Sequence, residues 1–123
     1  MKFVVIFLTL IAMDAVWLTL RRSYHEALFA SIQKSPLVVR IVPALLVYVL
    51  VAAALQYFVF TLGHASTAAQ SAKIGGLLGG SMYGLYDLTN YATLRGYTLE
   101  MAVVDTLWGV VACAVAAGVA AGL

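Results

Sequence analysis

Four stretches of this chain are each long and apolar enough to cross a bilayer, and little sequence lies between them. They run over about Phe3–Leu20, Leu37–Leu62, Ala72–Leu94 and Leu99–Leu123. A spanning helix needs roughly 20 mostly apolar residues. With 64% hydrophobic and 10% charged residues in 123, the chain is too apolar to hide its surface in a core of its own size. Soluble, disordered, collagen-like and disulfide-scaffold classes are excluded at this point. The expectation is an all-α polytopic membrane protein. It is a single domain over residues 1–123, with four transmembrane helices in a compact bundle. Lys2 and the first run resemble a leader, but the apolar stretch is long and no A-x-A site closes it, so an uncleaved first helix is expected.

Asp14, Asp87 and Asp105 each interrupt one of these runs. An aspartate at the centre of a spanning helix costs about 2.5–3.5 kcal/mol on insertion scales, so three among five acids demand a reason. Their depths agree. Asp14 precedes Arg21 by seven residues, Asp87 precedes Arg95 by eight, and Asp105 follows Thr98 by seven. At 1.5 Å per residue each lies about 10–12 Å inside the same end of its helix. On the second helix that depth falls near Ala44–Tyr48. Pro43 is close by, and a proline there is expected to free a backbone carbonyl.

The helix faces point the acids at protein. Gly76, Gly80, Gly84, Asp87 and Tyr91 form one stripe, and small residues let another helix approach closely. Asp105, Gly109, Ala112 and Ala116 form a second small-residue face. Phe7, Ile11, Asp14 and Leu18 share a third, with Trp17 beside it. Asp14–Trp17 and Asp105–Trp108 both read D-x-x-W, and residues three apart share a helix face. Tyr83, Tyr86, Asn90 and Tyr91 surround Asp87. Acids, indoles, phenols and an amide therefore suit a pocket for a polar guest. The expected cluster joins the three aspartates with Tyr83, Tyr86, Asn90, Trp17 and Trp108. No lysine or arginine lies at that depth. Some of the acids are then protonated, hydrated, bound to a cation, or reached by Arg21, Arg40 or Arg95 folding inward. The plainer reading is interhelical glue, at about 0.6 kcal/mol per bond.

Other patterns are quieter. Seven lysines and arginines form no long stripe, which excludes a nucleic-acid footprint. The single cysteine, Cys113, cannot form an intrachain disulfide and reads as a small buried residue. His25 and His64 sit at interfaces and read as solvated or headgroup-facing. No metal-ligand spacing, phosphate loop or nucleophile elbow is present, and no cofactor is implied. The connection of residues 21–40 has room for a short interfacial helix, with Ala27, Leu28 and Phe29 dipping into the headgroups. Thr19-Leu20-Arg21 with Glu26 repeats as Thr93-Leu94-Arg95 with Glu100 at an offset of 74, a pattern that a duplicated two-helix hairpin would leave.

Tyr83-Gly84-Leu85-Tyr86-Asp87-Leu88-Thr89-Asn90, Ala92-Thr93-Leu94-Arg95-Gly96 and Val104-Asp105-Thr106-Leu107-Trp108-Gly109 together resemble the signature of a bacterial membrane protein family. It is the one catalogued as domain of unknown function family 2177. Asp14-Ala15-Val16-Trp17-Leu18 resembles its opening. Where the family typically has Trp-Pro after Arg-Gly, this chain has Tyr97-Thr98, a departure expected to touch the third connection and not the acidic layer. The resemblance implies a four-helix inner-membrane protein and supplies no activity.

Three functions fit these residues. The first is binding or transport of a cation or small polar solute, with a protonatable Asp14 or Asp87 coupling release to proton uptake. The second is a membrane enzyme acting on a lipid or isoprenoid. In it, paired acids serve as general acid and base, and aromatic rings face a carbocation. The third is a structural or accessory subunit. Expected partners are membrane lipids, a small polar or lipid-like ligand, and a second copy across the small face of Gly118 and Gly122.

Orientation follows the cations of the short connections. Arg21, Arg22, Lys34, Arg40 and Arg95 lie on one side, against Lys2 and Lys73 on the other. Both termini are then on the non-cytoplasmic side of a bacterial inner membrane. Cysteines introduced at Ser31 and Gly96 should be labelled by an impermeant maleimide only from the cytoplasmic face. Labelling from outside reverses the orientation.

Overall fold

The computed structural model describes residues 1–123 and is entirely helical. In chain order it has α1 (Lys2–Leu20), α2 (Arg22–Gln33), α3 (Ile41–Leu55), α4 (Ala68–Thr93) and α5 (Leu99–Ala120). A π-helical segment, Gln56–Thr61, continues α3. Three helical stretches are long and apolar enough to cross a membrane: α1, α3 with its π segment, and α5. The fourth long helix, α4, has 26 residues but carries five glycines with Lys73, Asp87 and Asn90.

Local chemistry sets the ends. Thr67 caps α4 and Thr98 caps α5, each hydroxyl accepting an N–H three residues on at 3.1 Å. α2 stops at Lys34, whose φ of 62° is left-handed. The second apolar run begins at Leu37, but its helix begins only at Ile41, after Pro36 and an extended Arg40. Pro43 therefore sits in the first turn of α3, where an N–H would have no partner inside the helix. It breaks no helical bond, and the freed carbonyl expected near the acidic layer is not produced.

The helices pack in the order α3, α1, α5, α4. Lys2 reaches the Ala120 carbonyl, Asp14 meets Trp108, and Arg21 meets Glu100, so α1 and α5 run antiparallel. Ile6 and Leu10 of α1 are buried with Val51, Ala52, Leu55 and Val59 of α3 and its extension, and with Ala112, Cys113, Ala116, Ala117 and Ala120 of α5. Only 23 of 123 residues are buried. Leu8, Val16, Leu46, Leu50, Leu77, Leu85, Leu107 and Val119 face outward. Such a surface is stable against lipid tails and not against water.

α4 lies against α5 by close backbone approach. A Cβ on Gly79 would sit 2.3 Å from the Gly109 carbonyl oxygen, and one on Gly75 would sit 2.8 Å from that of Cys113. A Cβ on Gly109 would meet the Tyr83 ring at 2.2 Å. The seam therefore runs through Gly75, Gly79 and Gly109. Gly76 and Gly84 have room for a methyl group, and a Cβ on Gly80 meets only a Val110 methyl at 2.8 Å. α2 folds back over the other end of α5. Leu28 is buried with Tyr97, Met101 and Ala102, so it packs on protein and not among headgroups.

Gly79→Ala should then lower stability by about 1–3 kcal/mol through overpacking, and Gly84→Ala should be nearly silent. Thermal unfolding of the two variants in one detergent measures the difference. Equal midpoints would place the seam elsewhere.

Candidate functional site

The acidic layer is assembled as two hydrogen-bonded centres. The first is Asp14. Tyr48 of α3 donates its hydroxyl to Oδ2 at 2.7 Å, and Trp108 of α5 donates Nε1–H to Oδ1 at 2.7 Å. One carboxylate on α1 thus binds both neighbouring helices, and each of its oxygens has a donor. Trp17, one turn further on, stacks on Trp108 with ring centroids 4.6 Å apart and planes within 4°.

The second centre is Asp87, which is fully buried. Tyr97, in the turn between α4 and α5, donates its hydroxyl to Oδ1 at 2.5 Å. Thr106 of α5 donates to Oδ2 at a longer 3.4 Å. Burial pushes the Tyr97 phenol above its ordinary range, and the Asp87 hydrogen bond adds to this, so Tyr97 stays a donor. The Asp105 carboxyl neighbours Asp87. Asn90 sits beside Tyr86 and Tyr97. Tyr91 is exposed.

Asp105 differs from the other two acids. No N–H or hydroxyl of the protein donates to it, and it is half-buried. It lines a cavity of about 360 Å³ with Val47, Val51, Met82, Tyr83 and Tyr86. This space lies between α3 and α4, the two long helices that are not packed side by side, and Asp105 of α5 is its polar wall. Its other walls are apolar and aromatic.

None of the three arginines expected as charge partners neutralises an aspartate. Arg21 pairs with Glu100 at 3.3 Å and lies over the rings of Trp17 and Tyr24. Arg40 and Arg95 are exposed and form no ion pair. The other ion pair joins Arg22 to Glu26 at 2.9 Å along α2. No three or more His, Cys, Asp and Glu side chains are grouped as around a metal ion.

Two findings depart from the sequence reading. His25 is buried, 7% exposed, where a solvated or headgroup-facing imidazole was expected. Burial and the neighbouring Arg21 hold its pKa below the ordinary histidine range, against weaker opposing pulls from Asp87 and Asp14. The second is Tyr97. The departure at Tyr97-Thr98 reaches into the acidic layer, since Tyr97 holds Asp87 and Thr98 contacts the Tyr24 hydroxyl. Tyr48 and Tyr97 are the two functional neighbours that sequence reasoning missed. Tyr48 stands within the depth window near Ala44–Tyr48 as its one hydroxyl. Tyr97 lies outside every apolar run, so helix depth gives no signal for it.

Tyr97→Phe leaves Asp87 with only the long Thr106 contact. It should cost about 1–3 kcal/mol, the range for a buried acceptor losing its partner. Tyr91→Phe, at an exposed position, is the silent control. Detergent unfolding midpoints compare the two, and equal values would mean that Asp87 draws nothing from Tyr97.

Asp87, Asp105, Trp108 and Gly109 lie within the three sequence runs quoted above. Neither a curated protein nor a solved structure matches the chain. A family model described as a predicted membrane protein, DUF2177, matches residues 1–122, and the chain belongs to that family.

Proposed function

We propose that the protein crosses a bacterial inner membrane four times and binds a cation or small polar solute at Asp105, exchanging it for a proton. The crossing by α4 is supported by its length and by its close packing along α5, where Gly75 and Gly79 are covered and Asp87 is satisfied. The five-against-two distribution of cations supports termini on the non-cytoplasmic side.

The observation that carries the functional reading is the contrast among the acids. Asp14 and Asp87 are supplied with donors from neighbouring elements, as structural glue requires. Asp105 is not, and it faces a cavity. A carboxylate beside two tyrosine rings suits a cation, held by charge and by the ring faces. Arrival of a cation displaces a proton from Asp105, so one positive charge replaces another in the apolar interior. The family description as a membrane protein fits this reading and names no activity. The structural-subunit reading is favoured by the full satisfaction of Asp14 and Asp87, and the same experiment tests it.

The test is titration of the protein in lipid nanodiscs with tetraethylammonium and, separately, with sodium. Heat and proton release into a weak buffer are recorded together. Binding of either probe should release protons. Asp105→Asn should weaken it at least about tenfold, or about 1.4 kcal/mol, and abolish the release while the unfolding midpoint holds. Unchanged heat and proton release in Asp105→Asn, or no binding of either probe, would leave glue as the role of the layer.

A further inference from the structure

A second and larger groove lies apart from Asp105. It has a volume of about 460 Å³ and is lined by Leu18 and Thr19 of α1, by Arg22, His25, Glu26 and Phe29 of α2, by Leu37 and Val39, and by Tyr86. The four α2 residues fall at i, i+3, i+4 and i+7, which is one helix face. The adjoining side of α2 packs Leu28 against the turn and α5. So α2 presents a composed face, with charge at one end and an aromatic ring at the other, to a space that no part of this chain fills.

We propose that this groove binds the headgroup of an amine-bearing membrane phospholipid, with the phosphodiester on Arg22 and His25 and the amine on Glu26. Four observations meet here. His25 borders the groove, is more than nine-tenths buried, and has an Nε2 with no hydrogen-bond partner. A buried polar atom left unpaired is costly, and a turn of the ring that brings Nε2–H to a phosphate oxygen in the groove removes that cost. Arg22 uses only its Nε on Glu26, so both Nη groups are free to fork onto phosphate oxygens. Glu26 supplies an acceptor for an ammonium beside them. Leu18, Phe29, Leu37 and Val39 form the apolar wall, and the outward-facing Val16, Val38, Ile41 and Val42 continue it. Acyl chains leaving the headgroup would run along that surface.

The apolar wall favours a lipid over free phosphate as the source of the phosphodiester. The position agrees, since α2 follows directly on a spanning-length helix and lies where headgroups lie. The site is independent of the cation site at Asp105, though Tyr86 borders both spaces.

Delipidated protein in a mild detergent, titrated with dioleoyl-phosphatidylethanolamine, dioleoyl-phosphatidylglycerol or inorganic phosphate, tests the proposal by native mass spectrometry and by unfolding midpoint. Phosphatidylethanolamine should give a one-to-one adduct and raise the midpoint, and inorganic phosphate should do neither. Arg22→Gln should weaken both lipids about tenfold, equivalent to about 1.4 kcal/mol. Glu26→Gln should weaken phosphatidylethanolamine and spare phosphatidylglycerol. Both positions are exposed, so neither variant threatens the fold. Equal lipid retention by the Arg22→Gln, Glu26→Gln double variant overturns the proposal. So does an equal effect of inorganic phosphate, or the absence of any lipid adduct.

Discussion

A carboxylate on an apolar helix must find donors before that helix can sit in a medium without water. Most of the arrangement of this chain follows from how Asp14 and Asp87 meet that demand. Asp14 takes one donor from α3 and one from α5, which fixes α1 between them and sets the rotation of all three. Asp87 takes its donors from the turn after α4 and from α5. Any slide of α4 along α5 would break both bonds. These contacts are few, but those of Asp14 reach 34 and 94 residues along the chain, and each contact leaves an expensive orphan if broken.

Packing completes what the acids begin. α4 is the least apolar of the long helices, and its glycines bring its backbone against α5 at Gly75 and Gly79. The pairs α1 with α3 and α4 with α5 then meet along α1 and α5, with Lys2, Asp14 and Arg21 spaced down that contact. Once those faces are used, α3 and α4 are left without close packing between them. The cavity beside Asp105 lies on that side. Its position is a result of the helix order, and its polarity comes from Asp105, the one of the three aspartates to which no N–H or hydroxyl donates.

Much of this is legible in the sequence. The apolar runs, the shared depth of the three aspartates and the small-residue faces follow from periodicity and charge alone. What is not legible has identifiable causes. A stripe at i, i+4 spacing selects Gly76, Gly80 and Gly84, yet the contact line lies one residue earlier, because Gly75 and Gly79 also repeat at four and only the rotation of α4 decides between them. Tyr97 sits in a turn, where no period indicates which way a side chain points, so its bond to Asp87 is a tertiary fact. His25 reads as exposed because its neighbours Arg22 and Glu26 are polar. The backbone bond from His25 N–H to the Arg21 carbonyl carries the helical path from α1 into α2, and in the folded chain His25 lies buried. The π-helical turn after Leu55 has no local signature in an apolar run.

The stacking of Trp17 on Trp108 has an optical consequence. These are the two tryptophans of the chain, and at 4.6 Å with nearly parallel planes their excited states are not independent. Absorption and emission belong to the pair, so the protein carries a single chromophore built from α1 and α5. One member of that pair donates its indole N–H to Asp14. A change in the charge of Asp14, or in the separation of the two helices, therefore alters the near-ultraviolet spectrum of the native chain without any attached dye.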